Sequence, residues 1–398
     1  MNEREQNWKR NAACFLTAQT VSLFGSSLAQ YAIVWYITLS TSSGKMLTLS
    51  TLCGFLPQIG ISLFAGVWID RYNRKLMIML PDILIAASTL ALALAFLGGR
   101  RQVWFLFAVL AVRSAGTGVQ TPAVNSAIPQ LVPKEHLMRV SGINSTLSSI
   151  TMFLAPAASG ALMSVAPLEA ALMIDVVTAV LGVGLTAFVR LRPQPASGEE
   201  SGSALKQLRA GFSYLKGSPF VRWLLAYQLT VLFLISPSAF LTPLMVSRSF
   251  GPEVWRLTAS EMTYSLGMVA GGILIASWGG FKRRLNTTRL AGAIYGLIMI
   301  GLGLAPSFWV YLALNAAIGI TSPCYNSPIT VSIQERVEPS MHGRVFSLLQ
   351  ISTALALPLG MAVFGPMADS VRVQVLLIGA GCAVAAVSLG MFRCRELD

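Results

Sequence analysis

Four ionisable side chains lie within long apolar stretches of this 398-residue sequence. Arg113 stands near the middle of one stretch. Asp82 and Asp175 stand inside two others, and Glu261 stands near the end of a fourth. Such side chains can bind a polar or charged ligand, and a carboxylate can carry a proton where burial favours its neutral form. They are the first candidates for chemistry in this chain.

Each candidate also has a simpler explanation. Arg113 either takes part in substrate or proton coupling or is the structural partner of a buried carboxylate. Asp82 and Asp175 either carry a proton or brace neighbouring helices. A nearby arginine would favour the second role, because it keeps a carboxylate charged. Glu261 and Asp369 lie close enough to the ends of their stretches to be solvated. The sequence leaves these alternatives open.

The apolar stretches themselves indicate a membrane protein. Hydrophobic residues make up 54% of the chain and charged residues 11%, against about 25% charged residues in ordinary soluble domains. A membrane-spanning helix needs about 20 apolar residues, and the chain offers twelve such stretches, so we expect an all-α membrane protein with twelve transmembrane helices. The predicted spans are Ala12–Leu39, Met46–Ile69, Leu76–Leu97, Val103–Ser126, Val140–Val165, Ala170–Val189, Val221–Val246, Ala259–Phe281, Thr287–Ala305, Phe308–Val331, Val345–Met367 and Val373–Phe392.

The positions of the basic residues decide what the net charge of +13 means. Most of the 29 lysines and arginines fall in loops on the face that both termini share. Cytoplasmic loops of membrane proteins carry such an excess, so we expect both termini in the cytoplasm and contact with membrane lipid. No basic stretch carries the interleaved aromatic residues of a nucleic-acid groove, and we expect no nucleic-acid partner.

The sequence divides into two similar halves. The stretch R-P-Q-P-A-S-G-E-E-S-G-S is typical of a flexible linker, and a short amphipathic segment suited to the membrane surface follows it. We therefore predict a six-helix half at residues 1–190, a cytoplasmic linker with a short amphipathic helix at 191–219, and a pseudo-symmetric six-helix half at 220–398. Internal repeats of this kind are common in secondary transporters, whose substrate site lies between the repeats.

Two short motifs carry the repeat. The hexapeptides T-P-A-V-N-S at Thr121–Ser126 and S-P-C-Y-N-S at Ser322–Ser327 share a Pro, an Asn and a Ser at the same offsets. A second pair of prolines occupies equivalent places in the fifth and eleventh spans. A proline inside a helix removes a backbone hydrogen bond and favours a kink. We expect helix bends at Pro122, Pro156, Pro323 and Pro358.

Polar and aromatic residues in several spans are candidates for lining a cavity. They are Gln19, Gln30, Asn125, Tyr227, Gln228, Tyr325 and Asn326. As a set they would offer hydrogen-bonding groups and flat apolar surface to an amphipathic molecule. For each one alone a simpler explanation exists, because polar side chains also join membrane helices and aromatic rings also mark the membrane interface.

No feature of the sequence indicates an enzyme or a cofactor. The two histidines, His136 and His342, fall in predicted cytoplasmic loops, and the five cysteines form no C-x-x-C pair, so we expect no metal site. The GxSxG, HExxH and phosphate-binding motifs are missing from the sequence. Because there is no phosphate-binding loop for ATP, we expect an ion gradient as the source of energy and no cofactor.

The loop between the second and third spans carries the most specific motif, G-V-W-I-D-R-Y-N-R-K. It resembles the loop signature of the major facilitator superfamily, Gly-x-x-x-Asp-Arg-x-Gly-Arg-Lys, with Asn73 in place of the second glycine. Asn tolerates a left-handed backbone, and the first glycine permits close approach of another backbone. The resemblance implies the major facilitator fold and a gating loop; the alternative is a basic loop that only sets topology. The matched residues are Gly66, Asp70, Arg71, Arg74 and Lys75.

Further motifs, among them L-C-G-F-L-P, L-V-P-K-E and G-R-V-F-S-L, resemble the bacterial macrolide-efflux branch of the drug:proton antiporters. F-L-A-P-A-A-S-G resembles the antiporter signature, with Ala155 and Ser159 replacing two glycines. The resemblance implies export of a bulky amphipathic drug, a macrolide first, from the bacterial cytoplasm in exchange for protons, and we expect a monomer. Exporters of tetracycline, siderophores or lysophospholipids, an importer of a small nutrient, and a protein that no longer transports remain alternatives.

Overall fold

A computed structural model describes residues 3–189, 217–338 and 341–393 of the chain. Within these ranges the side chains of residues 3–7, Val67, Asp70 and Arg393 are not described. The amphipathic helix predicted in the linker lies outside the described residues.

Every regular element in the described ranges is a helix. A short helix, Thr242–Ser249, follows the seventh long helix, and single 3-10 turns lie at Lys134–His136 and Met391–Arg393. The twelve long helices, labelled α1 to α12 in chain order, are Glu3–Thr41, Gly44–Arg71, Arg74–Leu97, Val103–Leu131, Leu137–Val165, Leu168–Phe188, Pro219–Phe240, Val254–Trp278, Arg284–Leu304, Phe308–Arg336, His342–Met367 and Val373–Gly390.

Eleven of the twelve long helices are long and apolar enough to cross a membrane. The other, α10, has a suitable length of 29 residues but carries several polar residues, among them Asn315 and Asn326. Nearly all the long helices begin and end within a few residues of the predicted spans. The largest differences are at the start of α1, which begins at Glu3 rather than Ala12, and in the seventh span, which was predicted as continuous to Val246.

The seventh span is broken at Leu241. Helix α7 ends at Phe240, and a separate helix begins at Thr242 with Pro243 in its first turn. Proline has no backbone N–H and is well suited to a first helical turn, so a new helix start is favoured here. The prediction of one uninterrupted span was wrong at this point.

The chain separates into two compact units. The first comprises Met1–Ile37 and Leu52–Glu200, and the second comprises Thr38–Thr51 and Ser201–Asp398. The division after Glu200 falls within the predicted linker. The assignment of Thr38–Thr51, the end of α1 and the start of α2, to the second unit was not foreseen from the sequence.

In the first unit, small residues bring helices close together. A Cβ atom on Gly118 of α4 would lie 2.8 Å from the carbonyl oxygen of Gln58 in α2, and one on Gly116 would lie 2.8 Å from Cδ1 of Ile85 in α3. Membrane helices associate through such close packing of small residues. A hydrophobic core that includes Phe15 and Ile78 completes this unit.

The second unit uses the same device. A Cβ atom on Gly271 of α8 would lie 2.2 Å from the carbonyl oxygen of Ile320 in α10. A Cβ atom on Gly319 of α10 would lie 2.2 Å from the carbonyl oxygen of Tyr264 in α8. Between α9 and α12, Gly296 and Gly381 face each other with similarly short approaches. These contacts fix the helices that carry the polar side chains described below.

The four prolines singled out in the sequence lie inside continuous helices. Pro122 lies in α4, Pro156 in α5, Pro323 in α10 and Pro358 in α11. None of them ends its helix, and the bends expected there stay a prediction.

Candidate functional site

Arg113 forms a buried ion pair with Asp175, which joins α4 to α6. Its guanidinium also donates to Thr89 Oγ1 at 2.8 Å and to the Ser26 carbonyl at 2.7 Å. Asp175 accepts further hydrogen bonds from the hydroxyls of Ser26, at 3.0 Å, and Thr89, at 3.1 Å. The side chains are 5% and 0% exposed. Of the two readings offered by the sequence, this geometry fits the structural partner of a buried carboxylate.

Asp82 of α3 has a different environment. Its Oδ1 accepts hydrogen bonds from the Ser22 hydroxyl at 2.9 Å and from Gln120 Nε2 at 2.7 Å. Both donors are neutral, and within the described ranges no basic side chain forms an ion pair with Asp82. The carboxylate is 2% exposed, directly behind two residues that line a cavity.

That cavity lies in the first unit and has a volume of about 200 Å³. Ser22, Ser26, Thr117 and Gln120 contribute hydroxyl and amide groups to it. The sequence analysis missed Ser22 and Gln120. Gln120 directly precedes the repeated hexapeptide, which was the available signal, but only the fold shows that it reaches Asp82.

A second cavity, of about 290 Å³, lies within the second unit. Glu261 and Tyr264 of α8 line it, together with Tyr295 of α9 and Tyr325 of α10. Asn315 of α10 borders it while donating to the Ser260 carbonyl at 2.6 Å. Glu261 therefore faces a cavity inside the second unit and is half-buried there, and the expectation that it is solvated stays a prediction.

Four of the seven predicted cavity-lining residues lie at one of the two cavities. Gln19 and Asn125 line the cavity of the first unit, and Tyr325 and Asn326 line that of the second. The other three, Gln30, Tyr227 and Gln228, do not line either of these two cavities.

Their positions explain why. Tyr227 and Gln228 lie one turn before Val231 and Leu232, which do line the second cavity. Both side chains are packed among the helices there, because Tyr227 donates to Ser388 Oγ at 3.1 Å and Gln228 is 3% exposed. Gln30 lies beside Gly54, whose added Cβ would be 3.5 Å from its amide nitrogen.

The loop between α2 and α3 binds other helices of the first unit. The Lys75 ammonium donates to the carbonyls of Ala187 and Val189 at the end of α6, and its Nζ atom lies 3.1 Å from the Val189 oxygen. Cations stabilise helix C-termini because the last carbonyls have no partner within the helix. Arg74 donates to the Ser126 carbonyl at 3.4 Å, and Arg71 is exposed.

Two details of this loop differ from expectation. Asn73 has φ −62° and caps α3 by accepting from the Lys75 amide, so it is not left-handed. A Cβ on Gly66 would meet no described heavy atom within 4 Å, so the expected close backbone approach is not found there. The side chain of Asp70, the acid of the signature, lies outside the described residues.

Asp369 closes the turn before α12 in the second unit. It accepts hydrogen bonds from the amides of Gly44, at 2.6 Å, and Lys45, at 3.0 Å, and from the Ser43 hydroxyl, at 3.0 Å. The Nη2 atom of Arg248 lies 3.3 Å from the Oδ1 atom of Asp369. Partial burial raises the pKa of Asp369, but these hydrogen bonds lower it more, and the net pKa is below 3.8. Asp369 is exposed, and the hydrogen bonds that hold its carboxylate were not expected from the sequence.

The comparisons with known proteins agree with this architecture. The sequence model of the Major Facilitator Superfamily matches residues 15–361. The chain belongs to the Major Facilitator Superfamily. Among solved structures, this superfamily member is similar to the nucleoside transporter NupG, with a TM-score of 0.69 and 14% identity over 97% of this chain and 100% of that one. It is also similar to a D-xylose-proton symporter, with a TM-score of 0.70, 14% identity and coverage of 95% and 97%.

Curated relatives within the superfamily are more similar in sequence. Macrolide efflux protein A of Streptococcus pyogenes is 30% identical over 393 residues, which cover 97% of this chain and 96% of that protein. Multidrug efflux pump Tap of Mycobacterium bovis is 23% identical over 411 residues, which cover 97% of this chain and 94% of that protein. The protein is thus a multi-pass membrane transporter of the superfamily.

Proposed function

We propose that this transporter exports bulky amphipathic drugs, with a macrolide antibiotic as the first candidate, across the bacterial cytoplasmic membrane. The observation that carries the proposal is the 30% identity to macrolide efflux protein A along 97% of the chain. Export proceeds by alternating access, with both termini in the cytoplasm. The working unit is a monomer, and the transporter needs no cofactor beyond the proton gradient.

Protons entering the cell supply the energy. A charge that crosses the membrane is worth about 2.3 kcal/mol per 100 mV, so one or two protons suffice for a useful drug gradient. Asp82 is the preferred proton carrier because its partners, Ser22 and Gln120, are neutral and it lies behind the cavity of the first unit. Asp175 is less suitable, since its carboxylate is already paired with Arg113.

Drug accumulation in bacterial cells tests the proposal. Cells that express the protein should accumulate less erythromycin than control cells, and a protonophore should remove the difference. Asp82→Asn should abolish export, whereas Glu335→Gln, at an exposed position, should leave it intact. Equal erythromycin accumulation with and without the protein would contradict the macrolide assignment. Counterflow in inverted vesicles with a panel of substrates would then distinguish an exporter of another compound from an importer.

A further inference from the structure

We propose that the cavity of the second unit is a subsite for a protonated amine, with Glu261 as the counter-ion. The inference rests on the proposed function and deepens it, because it names the chemical group by which a drug would be recognised. Three properties of the cavity carry it, namely its charge, its aromatic surface and its size.

Glu261 is a half-buried acid for which the described residues provide no counter-ion. No hydrogen bond or ion pair to its carboxylate is found in the part of the chain that the structure describes, and none of the described lining residues is basic. The nearby Arg256 pairs instead with Glu253, at 3.2 Å. A charge away from water is costly unless it is paired. A cationic ligand would provide the missing partner, which an anionic ligand would not.

Tyrosines from three helices surround the same space. Tyr264 comes from α8, Tyr295 from α9 and Tyr325 from α10, and the Tyr295 hydroxyl is 3.2 Å from that of Ser238. The faces of aromatic rings attract cations, and alkylated ammonium groups are recognised in aromatic cages. A carboxylate beside several tyrosines therefore fits an amine that carries alkyl groups better than it fits a small inorganic cation.

The volume sets which part of a drug can enter. Sites that enclose a whole drug-sized molecule measure about 300–1,000 Å³, and this cavity, at about 290 Å³, is at the lower limit. It is large enough for an amine-bearing group such as an amino sugar and too small for a macrolide ring. The ring would therefore stay outside this subsite.

The cavity of the first unit does not offer the same chemistry. Asp82 already accepts hydrogen bonds from Ser22 and Gln120, and those two residues separate its carboxylate from the cavity. An amine entering there would meet hydroxyl and amide groups rather than a carboxylate. The two cavities thus assign the amine to the second unit and leave Asp82 available for the proton.

Binding to the purified full-length protein tests the subsite with two pairs of probes. The first pair is erythromycin and its N-demethyl-N-acetyl derivative, which has no basic nitrogen. The second is an N,N-dimethylaminoethyl naphthalene and the matching neutral amide. A charge-assisted contact is worth about 1.5–3 kcal/mol, so the wild-type protein should bind the amine of each pair about tenfold more tightly or better.

Variants then locate the preference. Glu261→Gln should reduce the preference for the amine to within about twofold while leaving affinity for the neutral probes unchanged, and the control Glu335→Gln should keep the full preference. Should Glu261→Gln fail to fold, Tyr264→Leu and Tyr325→Leu provide the second test, because each removes an aromatic face and should weaken the preference for the amine.

These measurements distinguish failure of the amine subsite from failure of the proposed macrolide export. A preference for the naphthalene amine without any binding of erythromycin would keep the subsite and reject the macrolide as substrate. Equal affinity of the wild-type protein for both members of both pairs would overturn the subsite. A folded Glu261→Gln variant, or tyrosine variants, with the wild-type preference would overturn it as well.

Discussion

At the scale of single residues, the ion pair between Arg113 and Asp175 favours a structural role for this intramembrane charge over a role in coupling. Removing one partner of a buried pair leaves an uncompensated charge and costs about 3–5 kcal/mol. We predict that Arg113→Gln and Asp175→Asn each lower the melting temperature strongly. The double variant should recover most of the loss, because two neutral amides can still hydrogen bond.

Transport by the double variant completes this test. If the pair is structural, the double variant should export drug at a rate close to that of the wild-type protein. A double variant that melts normally but no longer exports would show that the charges take part in coupling, and the structural reading would be wrong. Melting temperature and drug export therefore have to be measured on the same preparations.

A second prediction at this scale concerns Asp369, which lies between α11 and α12. Its pKa in the folded protein is below the ordinary value of 3.8, so its charged form stabilises the fold at neutral pH. Asp369→Asn should lower the melting temperature at pH 7. The difference from wild type should shrink as the pH falls through about 4 towards the lower folded value.

The contacts of Asp369 give the reason for that stabilisation. Its carboxylate accepts from two amides in the first turn of α2, where a negative charge is favoured by the helix dipole. A melting temperature difference that is constant from pH 7 to pH 3 would contradict the account, because it would not depend on the charge.

Sequence patterns located these residues but not their partners. Arg113 and Asp175 attracted attention because charges are rare in apolar stretches, yet nothing in the sequence indicated that they touch. Ser22 and Gln120 could not be assigned to Asp82, because ordinary polar residues in helices give no signal until the helices are packed. Glu261 was judged by its distance from a helix end, whereas its environment depends on α9 and α10.

At the scale of helices, close contacts between glycines and backbone atoms hold α8 against α10. Gly271 and Gly272 provide a matched pair. A Cβ on Gly271 would lie 2.2 Å from the Ile320 carbonyl oxygen, whereas one on Gly272 would meet no described heavy atom within 4 Å. We predict that Gly271→Ala lowers the melting temperature and weakens amine binding, since α8 must move away from α10.

Gly272→Ala is the control for that prediction. Alanine is a better helix former than glycine by about 1 kcal/mol, so the melting temperature should be unchanged or slightly higher. Equal effects of the two substitutions would show that packing against α10 is not what distinguishes them. Thermal unfolding of the detergent-solubilised variants is a suitable measurement.

The helices were the most predictable part of the fold. Runs of apolar residues of membrane-spanning length placed nearly all twelve long helices within a few residues, since the bilayer sets that length. The break at Leu241 was missed because apolar residues lie on both sides of it, at Ala239–Leu241 and at Leu244–Val246, whereas Pro243 acts there through backbone geometry. Hydrophobicity does not report that geometry.

At the scale of the whole molecule, the repeated hexapeptides and prolines predicted two similar halves, and the loop motif that resembles the superfamily signature implied the major facilitator fold. The family match over residues 15–361 and the structural neighbours agree with that fold. The assignment of Thr38–Thr51 to the second unit could not be predicted, because it depends on contacts far apart in sequence. Examples are the hydrogen bonds from Gly44 to Asp369 and from the Thr48 hydroxyl to the Met361 carbonyl.

The central claim is that a proton gradient drives a macrolide across the membrane through this protein, and uptake into proteoliposomes tests it most directly. With the purified protein reconstituted and the lumen made acidic, radiolabelled erythromycin should accumulate inside. Collapse of the gradient by a protonophore should release it, and Asp82→Asn should prevent the accumulation. Uptake equal to that of protein-free liposomes, or uptake that does not respond to the gradient, would contradict the account.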